Sequence, residues 1–183
     1  LYISNDNGVT NGYSNSTTSV VHAYRDITIS SGSTTSNFSF DWKSVGEVDY
    51  DYLRVWLVPS SFIPTSGTQI VSGSGKIQVG SNFQNNASWQ TYANSALDIS
   101  SFANTTMRLV FEWKNDGSGG STPPVAIDNV RFIISNVWTG TTSSSWNTAA
   151  NWSLNTVPTT ADNIVISSNG TNAPVLDADM TIP

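Results

Sequence analysis

The chain has 183 residues and a formal net charge of −6 at pH 7, with 7 basic residues against 13 acidic ones. This balance argues against nucleic acid as a partner, because no basic stripe exists to neutralise phosphates. Apolar residues make up 38% and include many aromatic ones, so the chain is too hydrophobic to be disordered. It has no Cys and therefore no disulfides, and no apolar run approaches the roughly 18 residues of a membrane span.

Short runs rich in β-branched and aromatic residues predict strands along most of the chain. The runs are 1–3, 20–29, 38–42, 50–58, 70–79, 89–99, 107–113 and 125–134. Turn signals such as Asn7-Gly8, Asn11-Gly12 and the Gly/Ser/Pro-rich segment 116–124 separate them. Because no window shows a helical period, the sequence predicts an all-β fold, an antiparallel β-sandwich of the jelly-roll type.

The composition changes near residue 135. Three Trp residues, Trp138, Trp146 and Trp152, follow within a short distance, and the run 162–166 predicts one more strand. We expect residues 1–135 to form the jelly roll and residues 136–183 to be the beginning of a second, truncated β-rich unit, whose start the three Trp residues hold together.

Several ordered motifs carry a resemblance to a known family. They are FSFDW at 38–42, DYLRVW at 51–56, WQTY at 89–92, RLVFEW at 108–113 and AIDNV at 126–130. In this order they resemble the MAM-like jelly rolls of Bacteroidetes surface proteins, also called cleaved-adhesin or choice-of-anchor domains. The resemblance covers residues 1–135 and implies that the first strand of the sandwich is missing from this chain.

The resemblance also implies a location and a role. Such modules belong to large proteins that are exported by type IX secretion and stay on the cell surface or outside the cell, where they act in adhesion, gliding motility or polymer capture. The implied partners are other domains of the same long chain, the secretion machinery during export, and polysaccharide or cell-surface glycans. We therefore expect a non-catalytic adhesion or spacer module. The alternatives are an accessory carbohydrate-binding domain of a secreted polymer-degrading enzyme and a glucanase-like hydrolase that uses Glu47.

The acidic run 47–51, from Glu47 to Asp51, is the one hint of catalysis. It resembles the E-x-D-x-E strand of retaining glucanases, whose carboxyl groups lie about 5–5.5 Å apart. Residues four apart in a strand are separated by roughly 13 Å, so Glu47 and Asp51 are too distant to form such a pair. A loop-to-strand junction or a cation site are the other interpretations. Because His22 is the only histidine and no nucleophile motif surrounds any Ser, we expect no catalytic site.

A structural Ca²⁺ is a second hypothesis. Asp128 lies in the last predicted core strand, where an acidic residue is costly to bury unless it is paired or bound to a metal. The resemblance implies a Ca²⁺ ion between such an Asp and the N-terminal segment, where the candidate oxygen ligands are Asp6, Asn5 and Asn7 together with backbone carbonyls. The alternative is that Asp128 accepts hydrogen bonds from turn amides or pairs with Arg25 or Arg131.

The Trp residues predict both core and binding surface. Trp42, Trp56 and Trp113 lie inside alternating strands and are expected in the core. Trp89 follows a polar loop and is the candidate platform for stacking on a sugar ring, with Asn85 and Gln90 as directional hydrogen-bonding partners. The same residues are also ordinary loop formers, so both interpretations remain open at this point.

Overall fold

In the computed structural model, which describes residues 1–166 and 170–175, strands are the main regular structure. The strands are β1 (Ser19–Ile29), β2 (Thr35–Ser44), β3 (Tyr52–Pro59), β4 (Ile77–Phe83), β5 (Asn86–Asp98), β6 (Thr105–Asn115), β7 (Ala126–Ile133), β8 (Ser135–Trp138) and β9 (Asn163–Ile166). Two short 3₁₀ turns, Ser100–Phe102 and Ala149–Asn151, complete the regular structure of this part of the chain.

The chain divides into two compact units. The first comprises Leu1–Ile27, Ser39–Ala93 and Thr106–Arg131, and the second comprises Thr28–Phe38, Asn94–Thr105 and the chain from Phe132 onward. Neither this division nor any other observation tests the predicted boundary at residue 135, which stays a prediction. Part of the predicted second unit, residues 167–169 and 176–183, lies outside the described residues.

Strands β1 to β7 form two sheets, with the order β1-β6-β3-β4 in one and β5-β2-β7 in the other. In the first unit, aromatic rings from the two sheets meet. Phe40 of β2 lies 5.4 Å from Phe111 of β6 and 5.1 Å from Phe83 of β4, measured between ring centroids. Edge-to-face packing of this kind fills the interior of a sandwich. The prediction of an all-β sandwich is confirmed.

The four-stranded sheet is covered on both faces. The outer faces of its central strands β3 and β6 carry Trp56, Val58 and Val110, and Ile70 and Phe62 from the β3–β4 connection pack against them. Ile70 was expected to open a strand over 70–79. That expectation is wrong, because residues 73–76 form a turn in which Gly73 and Lys76 exchange backbone hydrogen bonds, and β4 begins only at Ile77.

The N-terminal segment pairs with β7. Tyr2 forms an antiparallel bridge with Ala126, and the amide of Ile127 donates to the carbonyl of Leu1 at 2.7 Å. The predicted strand at residues 1–3 is therefore a single bridge. A cavity of about 450 Å³ remains between this segment, β1 and β6.

In the second unit, Trp138, Trp146 and Trp152 form a buried cluster in which the rings of Trp146 and Trp152 are 4.7 Å apart. Strands β8 and β9 pair in parallel beside it. The turn that carries the cluster is organised by Asn151, which is fully buried. Its side chain accepts from two backbone amides and donates to a carbonyl and a hydroxyl, so every polar group of the amide is satisfied.

Candidate functional site

Strand β2 presents a polar outer face because its residues alternate strictly. Phe38, Phe40 and Ser44 are buried, whereas Ser39, Asp41 and Lys43 alternate with them and are only partly buried. Since successive side chains in a strand point to opposite faces of the sheet, Asp41 and Lys43 share the outer face. As β2 is the central strand of its sheet, this face has neighbours on both sides, β5 and β7.

Asp41 links the three strands of this sheet through its carboxylate. One oxygen accepts a hydrogen bond of 2.6 Å from the Thr91 hydroxyl on β5, and the other accepts one of 2.7 Å from the Asn129 amide on β7. These two hydrogen bonds lower the pKa of Asp41 more than desolvation raises it, and the charge of Arg131 lowers it further. Asp41 is therefore a fixed, ionised acceptor at neutral pH.

Trp89 lies beside this network on β5, two residues before Thr91. Its side chain is 48% exposed, and the ammonium of Lys43 sits 4.9 Å from the centre of its ring. Neighbouring Tyr92 points the other way, with its ring 5.5 Å from Phe40 in the core. Strand alternation thus places Trp89 and Thr91 on the outer face together with Asp41, Lys43 and Asn129, and we refer to these five residues as the outer strip.

The outer strip combines an apolar ring with charged and amide groups on a regular sheet. An exposed indole offers a flat surface for the C–H face of a sugar ring, and the carboxylate, ammonium and amide groups offer directional contacts to hydroxyls. No strained backbone is needed at Trp89 or Asp41. Asn129 adopts a left-handed conformation with φ of 49°, which Asn tolerates better than most residues.

The sequence found only part of this site. Trp89 is exposed as predicted. Asn85 is also exposed, but it occupies the tight β4–β5 turn with a positive φ of 51°. Gln90 follows Trp89 directly, so strand alternation directs its side chain away from the outer strip, and its amide folds back to the Trp89 carbonyl at 3.0 Å. The partner that the structure gives Trp89 is Lys43, and the alternation within FSFDWKS, which puts Lys43 on the same face as Asp41, is the signal that could have placed these two residues on one face.

The three Trp residues predicted to lie in the core differ in burial. Trp56 and Trp113 are 2% and 1% exposed and are core residues as expected. Trp42 is partly buried and packs against Phe83 with ring centroids 5.3 Å apart.

The acidic run forms a turn before β3 and is not part of a strand. The amides of Tyr50 and Asp51 both donate to the Glu47 carbonyl, and Asp51 is 1% exposed. One Asp51 carboxylate oxygen accepts from the Tyr13 hydroxyl at 2.5 Å and from the Glu47 amide at 3.0 Å. Burial and then Asp51, with Glu47 a smaller contributor, raise the pKa of Tyr13 above its usual range. The predicted strand start at Tyr50 is wrong, and so is the strand spacing that was expected to separate Glu47 from Asp51, because the run lies in the turn that leads into β3. The run is a loop-to-strand junction as one interpretation held, but it is not solvated at Asp51, which is buried.

The residues proposed to hold Ca²⁺ lie in two local networks. Asp6 is surrounded by donors within its own turn, Ser4, Val9 and Thr10, which lower its pKa to about 2. Asp128 is exposed, and its carboxylate accepts from the Asn129 amide at 2.8 Å. The burial argument for Asp128 is therefore wrong, because β7 is an edge strand at this point. Asn5 and Asn7 are exposed on the first turn. Calcium binding by these residues stays a prediction.

His22 belongs to a buried charged cluster in the four-stranded sheet. Glu112 is fully buried and accepts from Arg54 Nε at 2.7 Å, from the Ile70 amide at 2.6 Å and from His22 Nε2 at 3.2 Å. Burial raises the pKa of Glu112, but the hydrogen bonds from His22, Ile70 and Arg54 outweigh it and hold the pKa below its ordinary value of 4.5. Both carboxylate oxygens of Glu112 have hydrogen-bond partners within this cluster, which indicates a structural role.

No protein-family model and no curated protein matches the chain. A solved structure described as "CBM4 structure and function" aligns with it at 17% identity and a TM-score of 0.37, over 62% of this chain and 60% of that one. The chain thus spans less than two thirds of that structure. The MAM-like resemblance stays a prediction. Across the described residues, none of the helical segments is long and apolar enough to cross a membrane.

Proposed function

We propose that this chain is a non-catalytic, polysaccharide-binding module of a larger secreted surface protein, and that the outer strip is its binding face. The observation that carries the proposal is Trp89. Its indole is 48% exposed on β5, next to the Lys43 ammonium and on the same face as groups that can pair with hydroxyls, so it offers an apolar ring and directional polar contacts together. Its neighbours Asp41 and Asn129 are held in place by hydrogen bonds and face the same side.

The outer strip favours a sugar over a protein or an anion. The buried centre of a protein interface is depleted in charged residues, whereas here a single indole is surrounded by a carboxylate, an ammonium, an amide and a hydroxyl. An anionic ligand would meet the ionised Asp41 carboxylate. Hydroxyl groups both donate and accept, so they can pair with Asp41 and with Lys43 or Asn129 at the same time.

Binding to a panel of soluble glucans, xylan and mannan, measured by affinity electrophoresis and then by calorimetry, tests the proposal. We expect Trp89→Ala to weaken binding by about tenfold, because a stacked ring contributes up to about 1.5 kcal/mol beyond the area it buries and about 1.4 kcal/mol corresponds to one decade in Kd. Because Trp89 is the exposed Trp among the seven, the fraction of the Trp fluorescence that acrylamide quenches should also fall when the sugar is bound.

Tyr24→Ala is the matched control. Tyr24 is 50% exposed and has the Arg108 guanidinium 4.5 Å above its ring, but it lies on β1 of the other sheet. It should leave the affinity within about twofold of the wild type, since an interaction that a variant does not touch changes ΔG by only a few tenths of a kcal/mol. If Trp89→Ala binds like the wild type, or if no polysaccharide binds at all, the proposal is wrong.

A further inference from the structure

Two acidic side chains of the first unit have buried oxygen atoms without a partner. They are Oε2 of Glu47 and Oδ1 of Asp51, and neither atom is reached by solvent or by a hydrogen-bond donor. Asp51 is only 1% exposed as a residue. A buried carboxylate oxygen that lacks a partner is strongly unfavourable, so this arrangement calls for a positive group that the protein itself does not supply.

Elsewhere in the fold acidic side chains have a positively charged partner, but Glu47 and Asp51 do not. Among the described residues, Arg54 pairs with Glu112 and Arg108 pairs with Asp26, while His22 hydrogen-bonds to Glu112, and none of these contacts includes Glu47 or Asp51. Lys114 is the cation beside this turn. Its ammonium donates to the Tyr50 carbonyl at 2.7 Å and lies over the rings of Tyr50 and Tyr52. Buried Glu112 is fully compensated in the same unit, whereas the Glu47–Asp51 pair is not.

The loop at residues 119–120 closes over these carboxylates, and its backbone lies very close to them. Gly119 and Gly120 both have positive φ, at 61° and 77°. A side chain at Gly119 would overlap the Glu47 carboxylate, and a Cβ atom at Gly120 would lie 2.6 Å from Asp51 Oδ2. Both glycines therefore bring bare peptide groups against the two acidic side chains.

The groups at this position that could bind a metal ion are hard oxygen ligands. Two carboxylates face a glycine-rich loop, and no thiol or imidazole takes part in the described contacts of either carboxylate. Ca²⁺ takes six to eight oxygen ligands from carboxylates, peptide carbonyls and water, in irregular geometry. We propose that Glu47 and Asp51 bind one Ca²⁺ ion against the 119–120 loop. This site differs from the one at Asp6 and Asp128, and it does not depend on the sugar-binding proposal.

The test uses the whole chain, stripped of metal with a chelating resin and titrated with CaCl₂ by calorimetry. We expect one site with a Kd of about 0.1–1 mM, the range of extracellular calcium modules, and a melting temperature that rises with Ca²⁺. Glu47→Gln should weaken binding at least tenfold and should melt higher than the wild type in EDTA, because it removes an uncompensated charge. Asp51→Asn should also lose binding, but it perturbs the Tyr13 contact, so Glu47→Gln is the deciding variant.

Asp128→Asn and Asp6→Asn are the matched controls, and both should keep the wild-type affinity. Absence of calcium binding by the wild type overturns the proposal. It is equally overturned if Glu47→Gln binds as tightly as the wild type, or if Asp128→Asn abolishes binding instead, which would place the ion at the sequence-predicted site.

Discussion

Glu112→Gln is the substitution that most directly tests the buried charged cluster. The glutamine keeps the shape of the side chain and one acceptor oxygen, which can still face Arg54. Its second oxygen becomes an NH₂ group, which then faces the Ile70 amide and His22, both of which now bond to that oxygen. In the variant, the glutamine NH₂ group therefore faces other hydrogen-bond donors, and the negative charge that balances Arg54 is lost.

The size of the effect can be estimated from these contacts. Removing one partner of a buried ion pair costs about 3–5 kcal/mol. The Arg54 side chain is 15% exposed, so water reaches part of it and the lower end, about 3 kcal/mol, applies. For a chain of this size each kcal/mol lowers the melting temperature by about 2–4 °C, which gives a decrease of about 6–12 °C.

Thermal melting followed by circular dichroism measures this decrease. Asp26→Asn is the control, because Asp26 pairs with Arg108 at the surface with its side chain 44% exposed, and the melting temperature of this variant should change little.

The contribution of Glu112 to stability depends on pH with a defined sign. Because the pKa of folded Glu112 lies below 4.5, its contribution is complete above that pH and is lost as the pH falls through the lowered value. A decrease under about 2 °C at neutral pH, less than 1 kcal/mol, would refute the reasoning.

Two further predictions concern turns. Asn151→Ala should lower the melting temperature by several degrees, because it leaves the amides of Thr142 and Ser143 without their acceptor, whereas the same change at exposed Asn147 should have little effect. Gly120→Ala should destabilise the protein clearly more than Gly67→Ala in the same melting assay. Both glycines have φ near 80°, but a Cβ atom at Gly67 meets nothing within 4 Å, so equal effects would contradict the close approach at Gly120.

The sequence predicted the strands in which apolar and polar residues alternate. It did not predict the contacts that depend on the order of the strands in a sheet. Asp41, Thr91 and Asn129 come from distant parts of the chain, and nothing local indicates that β2 lies between β5 and β7. Asp128 was predicted to be buried because apolar residues flank it. The sequence of one strand does not show that the strand lies at the edge of its sheet. Ile70 read as a strand residue because its apolarity reports burial and not backbone conformation. Trp89 was recognised from the polar residues that precede it, which are a local signal. The loop expected there is wrong, however, because these residues belong to β4, a two-residue turn and the start of β5.

The coverage of both faces of the four-stranded sheet has a consequence for how its strands find their alignment. In most sheets a slip of one residue is prevented because it would turn apolar side chains toward water. Residues 55–58 of β3 are buried whichever face they point to, so hydrophobicity alone does not distinguish the two alignments. Arg54 lies directly opposite Glu112 in the β3–β6 pairing. A slipped pairing would bury each charge against an apolar neighbour, so we expect this pair to select one register during folding, as a polar residue does in a coiled-coil core.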